Sequence, residues 1–164
     1  MKKESTQSRR FEDTGLPLYS MMDEILVVCP RCKSCAPIAT LTPGDKNWFA
    51  PRRLTCLQCG TVKEWTENYI RIGAADGQVV DAFFGEPLWL QEPCEGHILW
   101  AYNVRHLNLI EGYVGAKLRA RRWRPKIGWA NGSLLNRLPR WITWAKNRPA
   151  VLKALQKLRA KLAQ

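Results

Sequence analysis

The sequence has few acidic residues, very little histidine and no long apolar run. Its 164 residues include 14 Asp and Glu against 26 Lys and Arg, a formal net charge of +12, and two histidines. The apolar run at residues 25–28 is far shorter than the roughly 20 residues that a membrane span requires. The first ten residues lack the apolar core of a secretory signal. We therefore expect a cytoplasmic protein, in which paired cysteines more often bind metal than form disulfides.

Acidic residues are almost missing from the C-terminal third. Residues 103–164 carry fifteen Lys and Arg against Glu111 alone, whereas residues 73–102 carry five acidic residues and no Lys or Arg. The local net charges are therefore +14 and −5. A basic region of this density repels itself unless a polyanionic partner neutralises it. The sequence predicts such a partner for the C-terminal third.

The pattern of short extended runs followed by helical spacing predicts an α+β fold. Helical periodicity begins after Asn103, a suitable N-cap, and we expect that helix to stop before Pro125. Pro149 is well placed to open a final helix that reaches about Leu162. The predicted units are a disordered leader (1–22), a β-rich unit that contains two cysteine pairs (23–72), a β-hairpin plus helix unit (73–126) and a basic helical tail of two to three helices (127–164).

Two pairs of cysteines form the most specific motif in the chain. Cys29 and Cys32 are separated by two residues, as are Cys56 and Cys59, and each pair lies between runs of strand character. This spacing lets one turn present two sulfurs to one ion, and two such turns complete a tetrahedron. The motif predicts one structural Zn²⁺ with no open coordination position for catalysis. Four buried free thiols would be the simpler alternative.

Residues 25–66 resemble the zinc ribbon of transcription-factor type, with a Cys-Pro-x-Cys first turn and a Cys-x-x-Cys-Gly second turn. The stretch from Pro87-Leu-Trp-Leu-Gln to Leu99-Trp-Ala-Tyr-Asn is also similar to bacterial zinc-ribbon proteins that are uncharacterised. The first resemblance implies a metal and a fold. Neither resemblance implies an activity, because zinc ribbons contact DNA, RNA, polymerases and ribosomes alike.

Four further residues have side chains that could bind a second metal: Cys35, Cys94, His97 and His106. The competing interpretation treats them as ordinary buried, sheet and helix residues. No phosphate-binding loop, dinucleotide-binding glycine motif or His-Glu-x-x-His sequence is present. The sequence therefore indicates that the protein is not an enzyme.

Basic residues alternate with tryptophans in the C-terminal third. Cations neutralise phosphates, and exposed aromatic faces can stack on unpaired bases. This pattern predicts a nucleic-acid-binding region, DNA or RNA, made by Arg119, Arg121, Arg122, Arg124, Lys126, Arg137, Arg140, Lys146 and Arg148.

Two other functions fit the same residues. The Trp and Leu side chains could anchor a protein such as a polymerase, ribosome or toxin-like partner, which would make the chain an adaptor. The basic amphipathic helix expected at residues 149–162 could instead bind an anionic membrane surface.

Overall fold

The structure, a computed structural model, describes residues 10–45, 47–71, 73–116, 118–120, 123–124, 128–129 and 133–163. Its α+β content agrees with the fold class predicted from the sequence. The strands in these ranges are β1 Arg10–Glu12, β2 Glu24–Val28, β3 Cys35–Thr40, β4 Arg52–Thr55, β5 Val62–Trp65, β6 Ala74–Ala75, β7 Gln78–Val79, β8 Leu90–Cys94, β9 His97–Ala101, β10 Leu118–Ala120, β11 Trp123–Arg124 and β12 Gly128–Trp129. The α-helices are α1 Val104–Gly115, α2 Arg140–Thr143 and α3 Arg148–Lys161.

The predicted ribbon is a four-stranded antiparallel sheet in the order β2-β3-β4-β5. Side chains alternate across its two faces, and Ile25, Ile38 and Leu54 stand in register on three neighbouring strands. All three are fully buried. They belong to one apolar cluster that also contains Cys29 and Cys56, so the metal-binding turns are built onto the core of the sheet.

Two hairpins follow the ribbon. Asp76-Gly77 turns β6 into β7, and Glu95-Gly96 turns β8 into β9, with positive φ at all four residues as such tight turns require. The first hairpin is short, with two residues in each strand, and its second strand ends at Val79. The chain beyond it joins the ribbon through a bridge between Val27 and Leu88.

The C-terminal helix is part of a second core and does not form a separate tail. Helix α3 packs against α1 and against the β8–β9 hairpin. Leu99 of the hairpin, Leu107 of α1 and Leu155 and Leu158 of α3 are buried in the same apolar cluster. The boundary expected near residue 126 therefore does not separate two cores.

Helix α1 begins as the sequence predicts and ends earlier. The Asn103 side chain accepts a hydrogen bond from the His106 backbone N–H at 3.0 Å, which confirms the predicted N-cap. The helix stops at Gly115, and Leu118, which periodicity assigns to its apolar face, instead begins β10. Strand β10 pairs in parallel with β1, so strand pairing has replaced the last predicted turns of the helix.

Residues 10–22 form regular structure in place of the predicted disordered leader. They contain β1, followed by a 3₁₀ turn at Leu18–Met21. Met21 and Met22 are buried, and the buried Asp13 carboxylate accepts hydrogen bonds from Gly15 N–H and the Ser133 hydroxyl. These long-range contacts order a segment whose local composition is typical of disorder. Residues 1–9 lie outside the described ranges.

Ser133 and Pro149 mark where helical segments begin at the C-terminal end, and the sequence predicts the second of these. Ser133 accepts a hydrogen bond from Leu135 N–H and precedes a 3₁₀ turn at Leu134–Arg137, and Pro149 lies in the first turn of α3. None of the described helices combines the length and apolarity that crossing a membrane would demand.

Candidate metal centre

The two cysteine pairs meet at one end of the ribbon sheet. Cys29 and Cys32 lie in the turn between β2 and β3, and Cys56 and Cys59 lie in the turn between β4 and β5. Their four sulfurs all lie within 4.8 Å of one another. The Cys29 and Cys59 sulfurs are 3.7 Å apart, and those of Cys32 and Cys56 are 3.5 Å apart. A tetrahedral ion with metal–sulfur bonds of about 2.3 Å needs sulfurs about 3.8 Å apart, so the cluster fits such an ion closely.

The two cysteine turns have the same backbone construction. In the first, Lys33 N–H donates to Cys29 O at 3.0 Å and Cys29 N–H donates to Ser34 O at 2.8 Å. In the second, Gly60 N–H donates to Cys56 O at 2.9 Å and Cys56 N–H donates to Thr61 O at 2.8 Å. Each turn therefore holds two sulfurs on one side before any ion is added.

The residue that closes each turn has a left-handed backbone. Lys33 has φ of 65° and Gly60 has φ of 71°. Glycine adopts this conformation without strain, whereas a lysine is uncommon there. The glycine after Cys59, which the sequence motif singles out, thus suits the shape of the turn, although the first turn accommodates Lys33 at the same position.

Hydrogen bonds at Cys29 and Cys59 favour the thiolate form that a metal binds, whereas at Cys56 the backbone N–H of Cys59 is outweighed by burial and the neighbouring thiols, which raise the pKa to about 11. The pKa of Cys59 is lowered to about 6, chiefly by hydrogen bonds from the side chain and backbone of Thr61. The Thr61 hydroxyl lies 3.1 Å from the Cys59 sulfur. The pKa of Cys29 is also lowered, chiefly by the backbone N–H of Cys32. Four sulfurs in this arrangement can hold one ion and leave no position for a substrate.

The four residues considered for a second metal site are not brought together. Among the residues that the structure describes, the only group of three or more Cys, His, Asp or Glu side chains able to share an ion is the four-cysteine cluster. Cys94 pairs with His97 across the β8–β9 turn. The His97 ring is exposed and stacks on Trp141 at 4.8 Å. Cys35 begins β3, where burial raises its pKa to about 11.

His106 is a buried structural residue of α1. It is 2% exposed, its Nδ1 accepts a hydrogen bond from Tyr102 N–H at 3.2 Å, and its ring meets Trp100 edge to face. Burial lowers the pKa of His106 to about 4. The imidazole is therefore neutral at pH 7, with its hydrogen on Nε2.

Acidification is expected to destabilise the fold through His106. The unfolded chain binds a proton with the ordinary pKa of 6.5, and the folded chain does so only near 4. The free energy of unfolding should therefore fall by about 2 kcal/mol between pH 7.5 and pH 5 from this group. Urea unfolding at pH 7.5 and at pH 5 measures this fall in the free energy of unfolding.

The matched variant for this measurement is His106→Asn, whose side-chain oxygen can still accept from Tyr102 N–H. The comparison between wild type and variant also cancels the acid lability of the cysteine cluster. An equal loss of stability in the two proteins would contradict the assignment to His106.

The structure describes only some of the residues predicted to bind nucleic acid. Arg121, Arg122 and Lys126 lie outside the described residues, and for Arg119 and Arg124 only the backbone, in β10 and β11, is described. Arg137, Arg140 and Lys146 are exposed. Arg148 is half-buried and donates from Nη2 to Ala116 O at 3.4 Å, a contact that ties α3 to the end of α1.

The tryptophans next to these cations fall into two classes. Trp141 is half-buried against the second core, and Trp144 is 48% exposed with the Lys146 ammonium 4.8 Å above its ring. The side chains of Trp123 and Trp129 lie outside the described part. Trp144 is thus an aromatic face beside exposed cations.

Some of the cations on α3 are already paired with acidic side chains. Lys157 Nζ lies 2.7 Å from Glu92 Oε1, and Lys161 Nζ lies 3.5 Å from Glu92 Oε2. Arg159 forms an ion pair with Glu111. The sequence does not show these pairs, because Glu92 is 65 residues away from Lys157 along the chain. The helical spacing by itself indicates a row of solvated lysines.

Sequence reasoning missed the role of Asp81, one of the scattered acidic residues of the middle region. Its buried carboxylate accepts hydrogen bonds from the backbone N–H groups of Phe83, Phe84 and Glu86 at 2.7–2.8 Å. Asp81 precedes Phe83 by two residues and Phe84 by three, and an aspartate at this spacing is a turn signal that the sequence does carry. Asp81 therefore organises the loop that leads from the ribbon to the β8–β9 hairpin.

Comparison of the chain with known protein families, curated proteins and solved structures finds no match.

Proposed function

We propose that the protein holds one structural Zn²⁺ in the four-cysteine cluster and binds nucleic acid through its basic C-terminal region. Sulfur ligands in a closed tetrahedron favour Zn²⁺ over Mg²⁺ or Ca²⁺, which prefer oxygen. Because all four positions are filled by protein, the ion would stabilise the ribbon and not perform chemistry.

The observation that carries the nucleic-acid proposal is the exposed cationic segment around residues 137–146. Within the described part of the chain, Arg137, Arg140 and Lys146 take part in no ion pair. Trp144 lies among them with its ring half exposed. Phosphates would neutralise the cations, and an unpaired base could stack on the indole. Arg119, Arg121, Arg122, Arg124 and Lys126 add sequence-level charge to the same region.

Nucleic-acid affinity is expected to fall steeply with salt and to depend on these three cations. Reversing Arg137, Arg140 and Lys146 to Glu should lower the affinity for a single-stranded oligonucleotide about 100-fold or more. If each cation contacts one phosphate, the slope of log K against log salt should become shallower by about 2. Fluorescence anisotropy with DNA and RNA oligonucleotides, from 50 to 300 mM salt, measures both quantities.

The control variant reverses Arg31, Arg53 and Lys63 of the ribbon, which are exposed and give the same change in net charge. It should change the affinity by less than about threefold. Equal losses in the two variants would show that net charge alone acts, and a salt-independent affinity would contradict phosphate contacts.

A second candidate function, an adaptor for a protein partner, is favoured by an exposed apolar patch between the N-terminal segment and the loop after β3. Tyr19 and Trp48 lie with ring centroids 6.1 Å apart and are 44% and 41% exposed. Phe49 and Leu16 are also exposed. A pull-down that recovers one stoichiometric protein after nuclease treatment, and loses it with Trp48→Ala, would support this function.

The structure argues against membrane binding through residues 149–162. That mode needs the apolar side of the helix to enter the lipid. Val151, Leu155 and Leu158 are instead buried in the second core, at no more than 1% exposure. The exposed side of α3 is chiefly polar and charged.

A further inference from the structure

A cavity of about 420 Å³ lies between β9, α1 and the segment 134–142. This volume is within the range of about 300–1,000 Å³ that is typical of small-molecule sites. Ile98, Ile110 and Ile142 supply aliphatic walls, and Trp100 and Trp141 supply aromatic ones. The cavity is thus suited to a flat apolar body.

The polar groups of the cavity are donors and cations. Arg137 lines it and is exposed, so its guanidinium can reach a ligand at the opening. His106 also lines it, and because its Nδ1 accepts from Tyr102 N–H, the hydrogen that it can donate is on Nε2. His97 completes the set and stacks on Trp141. None of the described residues that line the cavity is acidic.

The geometry points to a binding site for a small aromatic anion, with the ring between the apolar walls and the carboxylate or similar group at Arg137. A cation would meet the positive charge of Arg137 and no carboxylate among the described lining residues. A neutral hydrocarbon would gain nothing from Arg137 and would offer no acceptor to His106 Nε2–H. This site is separate from the metal cluster and goes beyond the proposed binding of nucleic acid.

Isothermal titration of the full, zinc-loaded chain with indole-3-acetate tests the proposal, and the neutral indole-3-acetamide is the comparison ligand. The acetate should bind with a sub-millimolar Kd, and the amide should bind at least about tenfold more weakly because it lacks the charge. Failure of the wild-type protein to bind the acetate at millimolar concentration would overturn the proposal. Equal affinity for the two compounds would also overturn it.

Three variants locate the site. Arg137→Gln should remove the preference for the acetate, and the matched control Arg140→Gln, three residues away and outside the lining, should keep it. Leu138→Trp should fill the cavity and abolish binding of both compounds. Arg137→Gln alters an exposed side chain and decides the question even where Leu138→Trp fails to fold. Unchanged acetate binding in a folded Leu138→Trp protein, or an unchanged preference in Arg137→Gln, would contradict this location.

Discussion

Removal of the zinc ion is expected to unfold the ribbon. Structural zinc contributes about 10–16 kcal/mol of apparent binding free energy, which equals or exceeds the whole stability of a typical domain. Cys29 and Cys56 are fully buried in the same cluster as Ile25 and Leu54, so an ion bound by the four cysteines would join the two cysteine turns at the core of the sheet. Cys56→Ser should therefore abolish zinc binding and the amide protection of β2–β5. Native mass spectrometry and hydrogen exchange measure these losses.

The chain provides a matched control for this experiment. Cys35 lies next to the first cysteine turn and is half-buried, yet it is outside the four-sulfur cluster. Cys35→Ser should keep one zinc ion per chain and should cost far less stability than Cys56→Ser. Zinc loss in Cys35→Ser would contradict the assignment of ligands, and a native-like fold in metal-free Cys56→Ser would contradict the structural role of the ion.

The second large effect is expected from Asp81→Ala. This change leaves one buried and two partly buried backbone N–H groups without the acceptor that now binds them. A buried donor left unsatisfied costs about 1–3 kcal/mol and a partly buried one costs less because water can reach it, so the free energy of unfolding should fall by about 2–3 kcal/mol. Phe83 packs on Trp65 at 4.9 Å and beneath the Arg52 guanidinium, so loosening this loop also disturbs the ribbon core. Urea unfolding of the zinc-loaded protein measures the change.

Asp45→Ala is the control for this substitution. The Asp45 carboxylate accepts one exposed hydrogen bond, from Asn47 N–H at 2.9 Å, and its loss should cost less than about 1 kcal/mol. Asp81→Asn should lie between the two, because its amide oxygen can still accept while its NH₂ group cannot. Similar losses of unfolding free energy in Asp45→Ala and Asp81→Ala would show that the hydrogen bonds of Asp81 stabilise the fold no more than the exposed one of Asp45.

Local patterns in the sequence predict the features that depend on a few neighbouring residues. The spacing of Cys29, Cys32, Cys56 and Cys59 predicts the metal cluster because each sulfur pair is set by one turn. Asn103 predicts the start of α1 because an N-cap is satisfied three residues along the chain. Pro149 predicts the start of α3 because its fixed φ and missing N–H group suit the first turn of a helix.

The features that the sequence does not reveal depend on distant contacts. A Cβ on Gly112 of α1 would lie 3.0 Å from Cε2 of Phe11, so the glycine that weakens the helix in isolation makes room for the N-terminal segment. Nothing near Gly112 in the sequence shows this approach. The order of residues 10–22, the early end of α1 and the cavity beside Arg137 likewise arise from chain segments that meet only in the fold.

Three cations of α3 are neutralised within the chain, because Lys157 and Lys161 pair with Glu92, and Arg159 pairs with Glu111. A polyanion that reaches α3 therefore competes with these carboxylates. The helix carries its own counterions, fixed covalently to the same chain, so an incoming phosphate must first displace a carboxylate. Such an exchange releases fewer mobile salt ions than binding to bare cations does. Contacts on α3 should therefore add less to the salt dependence than its number of basic residues implies, and Arg137, Arg140 and Lys146, which take part in no ion pair within the described residues, should each add more.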